Sequence, residues 1–143
     1  MRVRPMTEGD VRAVADLSGQ LGYPSTPAQI QRRFERLSVA PDSALFVADG
    51  DDGRVVGWVH VAGRRFLESH PFAELEGLVV DAAARRKGAG KALVSAAEGW
   101  AAAQGYDTMR VRSNTKRVEA RPFYERIGYA ITKSQHVYQK AIK

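Results

Sequence analysis

Apolar side chains recur along the 143-residue chain at two periods, and the switches between those periods divide it into elements. Residues 2–6 read as a short first strand. From Thr7 the spacing lengthens, so that Val11, Val14, Ala15 and Ser18 fall on one side of a helix. Thr7-Glu8-Gly9-Asp10 has the form of a capping box, with acidic groups at the positive helix end. Gly22-Tyr23-Pro24 breaks this helix. A second starts at Thr26-Pro27-Ala28-Gln29, where Thr caps, Pro takes the first helical position and Gln returns the capping bond. Ile30, Phe34 and Leu37 then stand at i, i+4 and i+7 on one apolar face.

The pattern returns to strands at residues 44–49 and 54–62, around the hairpin signal Gly50-Asp51-Asp52-Gly53. Residues 72–80 form a further strand. A loop from Asp81 leads through residues 85–90 into a helix over 89–104, rich in Ala, Leu and Val and capped by Gly105. Residues 108–112 predict a strand and 119–127 a helix ended by Gly128. Residues 129–133 and 136–141 predict a closing strand pair. The order β-α-α-β-β-β-α-β-α-β-β describes an α/β (α+β) protein, a mixed sheet with helices packed on it.

The length suits one domain over residues 1–143, and no linker or repeat interrupts it. A hydrophobic fraction of 44% supplies an ordinary core. No apolar run approaches the roughly 18 residues of a membrane span, and no apolar segment follows the charged amino terminus, so a cytoplasmic address without membrane attachment is expected. The chain has no cysteine, which excludes disulfides, a thiolate metal site and a cysteinyl thioester. His60, His70 and His136 show no metal-ligand spacing, and no metal is expected. The net charge of +6 suits a polyanionic partner. Its basic residues are scattered rather than set in a stripe with aromatics, so nucleic acid is not the expected partner.

The chemistry concentrates where the strand over 72–80 gives way to Arg85-Arg86-Lys87-Gly88-Ala89-Gly90 and the long helix. Glycine lets the backbone take positive φ and approach a ligand closely, and the first N–H groups of a helix are unpaired and favour phosphate. With three cations at the same place, the turn reads as a diphosphate cradle. It is not a Walker loop, because Arg85 stands where that motif needs glycine and Ala92 follows Lys91. Nor is it a dinucleotide fingerprint, which would need glycine at Leu93.

The turn instead resembles the coenzyme A pyrophosphate loop of the GNAT (GCN5-related) N-acetyltransferase superfamily: Arg or Gln, two residues, Gly, one residue, then Gly or Ala. A second block strengthens the likeness. Asn114, then Ala120, then Phe123-Tyr124-Glu125-Arg126-Ile127-Gly128-Tyr129 is similar to the family's segment after the next strand. The resemblance implies a mixed, mostly antiparallel sheet of six to seven strands flanked by about four helices. It also implies an enzyme, an acyltransferase that takes acetyl-CoA as co-substrate and moves the acetyl group to an amine by direct attack in a ternary complex. Backbone groups of Leu78, Val79 and Val80 would then pair with the pantetheine arm like an added strand. The turn from Arg85 through Arg86, Lys87, Gly88, Ala89 and Gly90 to Lys91 would hold the pyrophosphate, and Asn114 would touch the cofactor or a strand-end backbone group. A backbone N–H near Leu78 or Val79 would polarise the thioester carbonyl.

Within that frame Tyr124 is the expected general acid, or a packing partner for pantetheine. Glu76 and Glu74 are the candidate bases. They sit two residues apart and face one side of the strand unless a bulge intervenes. At about 3.3 Å per residue Glu76 lies roughly 7 Å from Leu78 and Glu74 roughly 13 Å, which favours Glu76. Either carboxylate could also orient an ammonium without taking its proton. Residues 17–31 and 64–72 and the last loop would read the acceptor, with Tyr23 lining the pocket or anchoring its own turn. Trp58 and Trp100 are assigned to the core, and His136 to solvent or an interface.

A small-molecule primary amine is the expected acceptor. A peptide or protein amine is the alternative, and a non-catalytic acetyl-CoA-binding module is a third reading that Tyr124, Glu76 and the intact turn disfavour. Relatives of this family are often dimers, sometimes through their last strands. The sequence does not separate a homodimer from a monomer.

Overall fold

The β-rich runs pair into one sheet in the computed structural model, which describes all 143 residues. Its strands are β1 (Arg2–Pro5), β2 (Ser43–Asp49), β3 (Val55–Phe66), β4 (Ser69–Val80) and β5 (Met109–Val111), in that spatial order. The first four are antiparallel neighbours, whereas β5 joins β4 in parallel. The chain divides into two units, Met1–Arg112 and Ser113–Lys143, and the whole sheet belongs to the first.

Three helices complete that unit: α1 (Val11–Gln20), α2 (Pro27–Ser38) and α3 (Ala89–Ala103). The capping signals act as their residue types require. Gln29 N–H donates to Thr26 Oγ1 at 3.1 Å while Thr26 N–H donates to Gln29 Oε1 at 2.9 Å. Before α1, Thr7 N–H donates to Asp10 Oδ2 at 2.8 Å across a short 3-10 turn. Asp10 also receives both Arg4 Nη atoms at 2.8 Å, and Arg4 Nε reaches Asp49 at 2.8 Å. This network ties β1, β2 and the start of α1 together. No helix is long and apolar enough to cross a membrane.

Val47 and Ala48 are both buried in β2, as are all four residues from Phe72 to Leu75 in β4, so both faces of the sheet are covered. α3 covers one face through Leu93, Val94, Ala97 and Ala101. A Cβ on Gly57 would stand 3.0 Å from Leu93 Cδ1, so Gly57 points at α3. By alternation Trp58, Ala62 and Arg64 point to the opposite face. α1 and α2 pack on each other and against β2, β3 and β4. Burying Leu93 completely contributes about 2 kcal/mol by area.

The structure corrects several expectations. β3 and β4 run on to Phe66 and back from Ser69, so most of residues 64–72 is paired hairpin rather than loop. The Phe66 and Phe72 rings stack at 5.7 Å and extend the pairing. The sheet has five strands, not six or seven, because residues 129–133 and 136–141 find no ladder partner. Strand-forming residues make a strand only when a neighbour takes their hydrogen bonds. Trp58 and Trp100 are half-buried rather than core.

The second unit holds α4 (Ala120–Arg126), closed by Gly128 at φ 98°, with Tyr129 N–H on the Tyr124 carbonyl at 2.9 Å. Beyond it the chain carries exposed apolar side chains at Ile131, Val137, Tyr138 and Ile142.

Candidate functional site

The parallel ladder between β4 and β5 covers only Ala73–Met109, Glu74–Arg110 and Leu75–Val111, while β4 continues to Val80. From Glu76 onward β4 therefore presents an open edge on that side, and Leu78, Val79 and Val80 lie along it. The register against β3 shifts at the same point: His60 pairs with Gly77 and Val61 with Leu75, leaving Glu76 as the extra residue of a β-bulge. The bulge re-aims Glu76 where the two parallel strands stop pairing. Both carboxylates still reach one partner, because Arg64 Nε lies 3.1 Å from Glu74 Oε2 and Arg64 Nη2 is ion-paired with Glu76 Oε1.

The two acids differ in setting. Glu74 is 5% exposed and has a second arginine, Arg112, whose Nε lies 2.9 Å from its Oε1. Glu76 is 20% exposed, and Oε1 is buried with no partner beyond Arg64. Burial pushes its carboxyl above the ordinary glutamate value, and the Glu74 charge adds to the rise against the pull of Arg64 and Arg112. Beside it the Trp58 ring lies over Gly77, where a Cβ would come within 2.8 Å of the ring. The Trp58 indole N–H is buried without an acceptor. His60 shares a 2.9 Å hydrogen bond with Ser43, and burial together with Arg64 lowers its pKa.

Past β4, Asp81 caps a 3-10 turn by accepting from Ala83 N–H at 3.1 Å. The backbone then takes two positive φ angles, 67° at Arg86 and 87° at Gly88, before α3 begins at Ala89. A non-glycine residue in that region costs energy and is held by its surroundings. The first intrahelical bond runs from Ala92 N–H to Gly88, so the N–H groups before it have no helical acceptor. Arg85, Arg86, Lys87 and Lys91 are exposed around them. A left-handed turn, a helix start and four cations form an anion cradle, and the open β4 edge leads up to it. These features fit a pantetheine diphosphate: the edge suits the amide arm and the turn suits the phosphates.

The second unit is built separately. Tyr124 packs edge-on against Phe123 and Tyr129 at 5.0 and 5.7 Å, and burial raises its hydroxyl pKa, opposed by Arg117. Asn114 spends its side-chain oxygen on Lys116 N–H at 2.9 Å, which leaves its amide N–H groups to donate elsewhere. His136 lies in the exposed tail, 6.4 Å from Tyr138 by ring centres. Back in the first unit, Tyr23 is 65% exposed on the α1–α2 connection, so its side chain is no hydrophobic anchor. The acidic turn after β2 is a solvated hairpin, and no group of three or more metal-ligating side chains occurs.

Arg110 and Arg112 are what a reading of the sequence misses, and Arg64, inside a stretch expected to read the acceptor, was not expected to pair with both glutamates. The period-two spacing of Arg110 and Arg112 was visible, but the cross-strand register that sets them beside Glu74 was not.

A mixed sheet whose parallel strands part after three residues, followed by a left-handed turn into a long helix, defines the N-acyltransferase class of fold. The chain matches the acetyltransferase (GNAT) family over residues 12–129, and it belongs to that family. It is an N-acetyltransferase with acetyl-CoA as its co-substrate. It is 41% identical to an aminoglycoside N(6′)-acetyltransferase type 1 of Klebsiella aerogenes, over 72% of each chain. Identity to the enzyme of that name from Serratia marcescens is 27%, over 84% of this chain and 86% of the other. Among solved structures, the aminoglycoside N-acetyltransferase AAC(6′)-Iy in complex with CoA shares the fold at a TM-score of 0.87 and 22% identity. That match covers 97% of this chain and 93% of the other.

Proposed function

We propose that this chain acetylates a primary amine of a small molecule by direct attack, with both substrates bound together and no acyl-enzyme. The observation that carries the reading is Glu76: a desolvated carboxylate on a β-bulge, at the point where β4 leaves β5 and its edge opens. The small-molecule acceptor is supported by the aminoglycoside enzymes to which the chain is similar.

Acetyl-CoA supplies the acetyl group as a thioester. Leu78, Val79 and Val80 hold its amide arm along the open edge, and the backbone from Arg86 to Gly90 holds its phosphates, with Arg85, Lys87 and Lys91 adding charge and Asn114 a donor. Glu76 takes the proton of the acceptor amine, and the Arg64 pair keeps it oriented; Glu74 fixes Arg64 in turn. Tyr124, whose burial keeps its hydroxyl protonated, is the acid for a departing thiolate. Tyr23 lines the acceptor entrance. Both units belong to one catalytic domain over residues 1–143, a reading supported by the family match, which runs across the boundary at Arg112 and Ser113. The exposed apolar tail is covered by a second copy in a homodimer.

Thermal denaturation with acetyl-CoA, followed by a thiol-release assay on amines, tests the reading. Ligand at about 100 times its dissociation constant adds roughly 2.7 kcal/mol, a midpoint shift of several degrees. The shift is expected to vanish in a Gly88→Leu chain. No shift at millimolar acetyl-CoA in the unaltered chain would overturn it.

A further inference from the structure

The face of the sheet that carries Glu76 holds more positive than negative charge. Register places the groups: Glu74 pairs with Ala62 and Arg110 with Glu74, so both share the face of Arg64, away from α3. They are thus distinct from the cations at the start of α3. Glu74 already has both oxygens engaged, by Arg64 and by Arg112, and Glu76 is engaged by Arg64. Arg110 has no carboxylate within ion-pair distance. Its guanidinium instead lies 4.0 Å from the centre of the Phe72 ring. Three arginines face two glutamates, and His60 on this face adds no charge at neutral pH.

This arrangement suits a polycationic acceptor poorly, since it leaves only Glu76, already paired with Arg64, to receive an ammonium and repels further positive charge. It suits an anion well. A guanidinium presents a planar fork that matches a carboxylate or phosphate, and stacking on an aromatic ring fixes the plane of that fork before a ligand arrives. We infer that the acceptor is a small amine bearing its own carboxylate or phosphate, which Arg110 holds with Arg112 while the amine end faces Glu76. The inference rests on the acetyltransferase reading above and narrows its substrate class.

The test is thiol release with matched acceptors at fixed acetyl-CoA: 2-aminoethyl phosphate against 2-aminoethanol, 4-aminobutanoate against butylamine, and neamine as the polycation. The anionic member of each pair should have the higher kcat/KM by about tenfold or more, the scale of one charge-assisted contact. Arg110→Gln should erase that preference by raising KM for the anionic member. It should leave the neutral member and the acetyl-CoA midpoint shift unchanged. Added salt should raise KM for the anionic acceptors alone. Equal or faster turnover of neamine or the neutral amines, or an anion preference that survives Arg110→Gln, would overturn the inference while the acetyltransferase reading stands. An absent acetyl-CoA midpoint shift would instead remove that reading, and the inference with it.

Discussion

At the scale of single residues, the proposed role of Glu76 as base makes it the group that sets how the reaction responds to pH. Its carboxyl titrates above the ordinary value of 4.5 because burial and Glu74 both disfavour the charge. The proton-accepting form is therefore lost as pH falls through that raised value, and the acid limb of kcat/KM should lie above 4.5. Glu76→Gln should lower kcat by roughly 10²–10⁴ and remove the limb, with KM for acetyl-CoA unchanged. A full-rate variant with an intact limb would assign the proton to another group. Glu76 and Glu74 were both visible as candidates in the sequence. What was not visible is that a bulge falls at Glu76 and not at Glu74, since a bulge is a property of two strands and its residues give no local signal.

Elements show the same division between local and non-local information. The box at Thr26 and Gln29 and the glycine stops of α3 and α4 join residues within one turn of each other, so sequence spacing suffices to read them. Strand lengths depend on cross-strand pairing rather than local spacing. β3 and β4 run past their expected ends because Arg64 pairs with Phe72 and Phe66 with Ser69 at the hairpin tip, whereas β5 is shorter by only one residue at each end. The Arg4 network belongs to this scale too, because it links two strands to a helix start across 45 residues of chain. Arg4 lowers the Asp10 pKa, chiefly by its hydrogen bonds. The stabilisation is accordingly present above the ordinary 3.8 and lost as pH falls through the lower folded value. Arg4→Met should leave the buried Asp10 without its cation, held by Thr7 alone, and cost about 3 kcal/mol in chemical denaturation near neutral pH. A cost under about 1 kcal/mol would show that the helix start holds without it.

For the molecule as a whole, the sequence led to the right fold class through one turn and one tyrosine-bearing block, yet it misjudged the tail. Residues 130–141 have the composition of strands but join no ladder of the sheet, which a single sequence cannot distinguish from strands that do. Val137 and Tyr138 are 86% and 91% exposed. Sedimentation should show a dimer that Val137→Asp with Tyr138→Asp converts to a monomer retaining the acetyl-CoA midpoint shift. A wild-type monomer at all concentrations would leave the tail without that role.

The Trp58 ring resting on Gly77 makes these two positions a single unit of variation. Any side chain at 77 collides with the indole, and any smaller residue at 58 opens a hollow next to Glu76. A side chain at position 77 therefore requires the indole at 58 to move or be replaced, which couples these two positions to each other. Libraries that vary one position at a time will miss the combinations of the two.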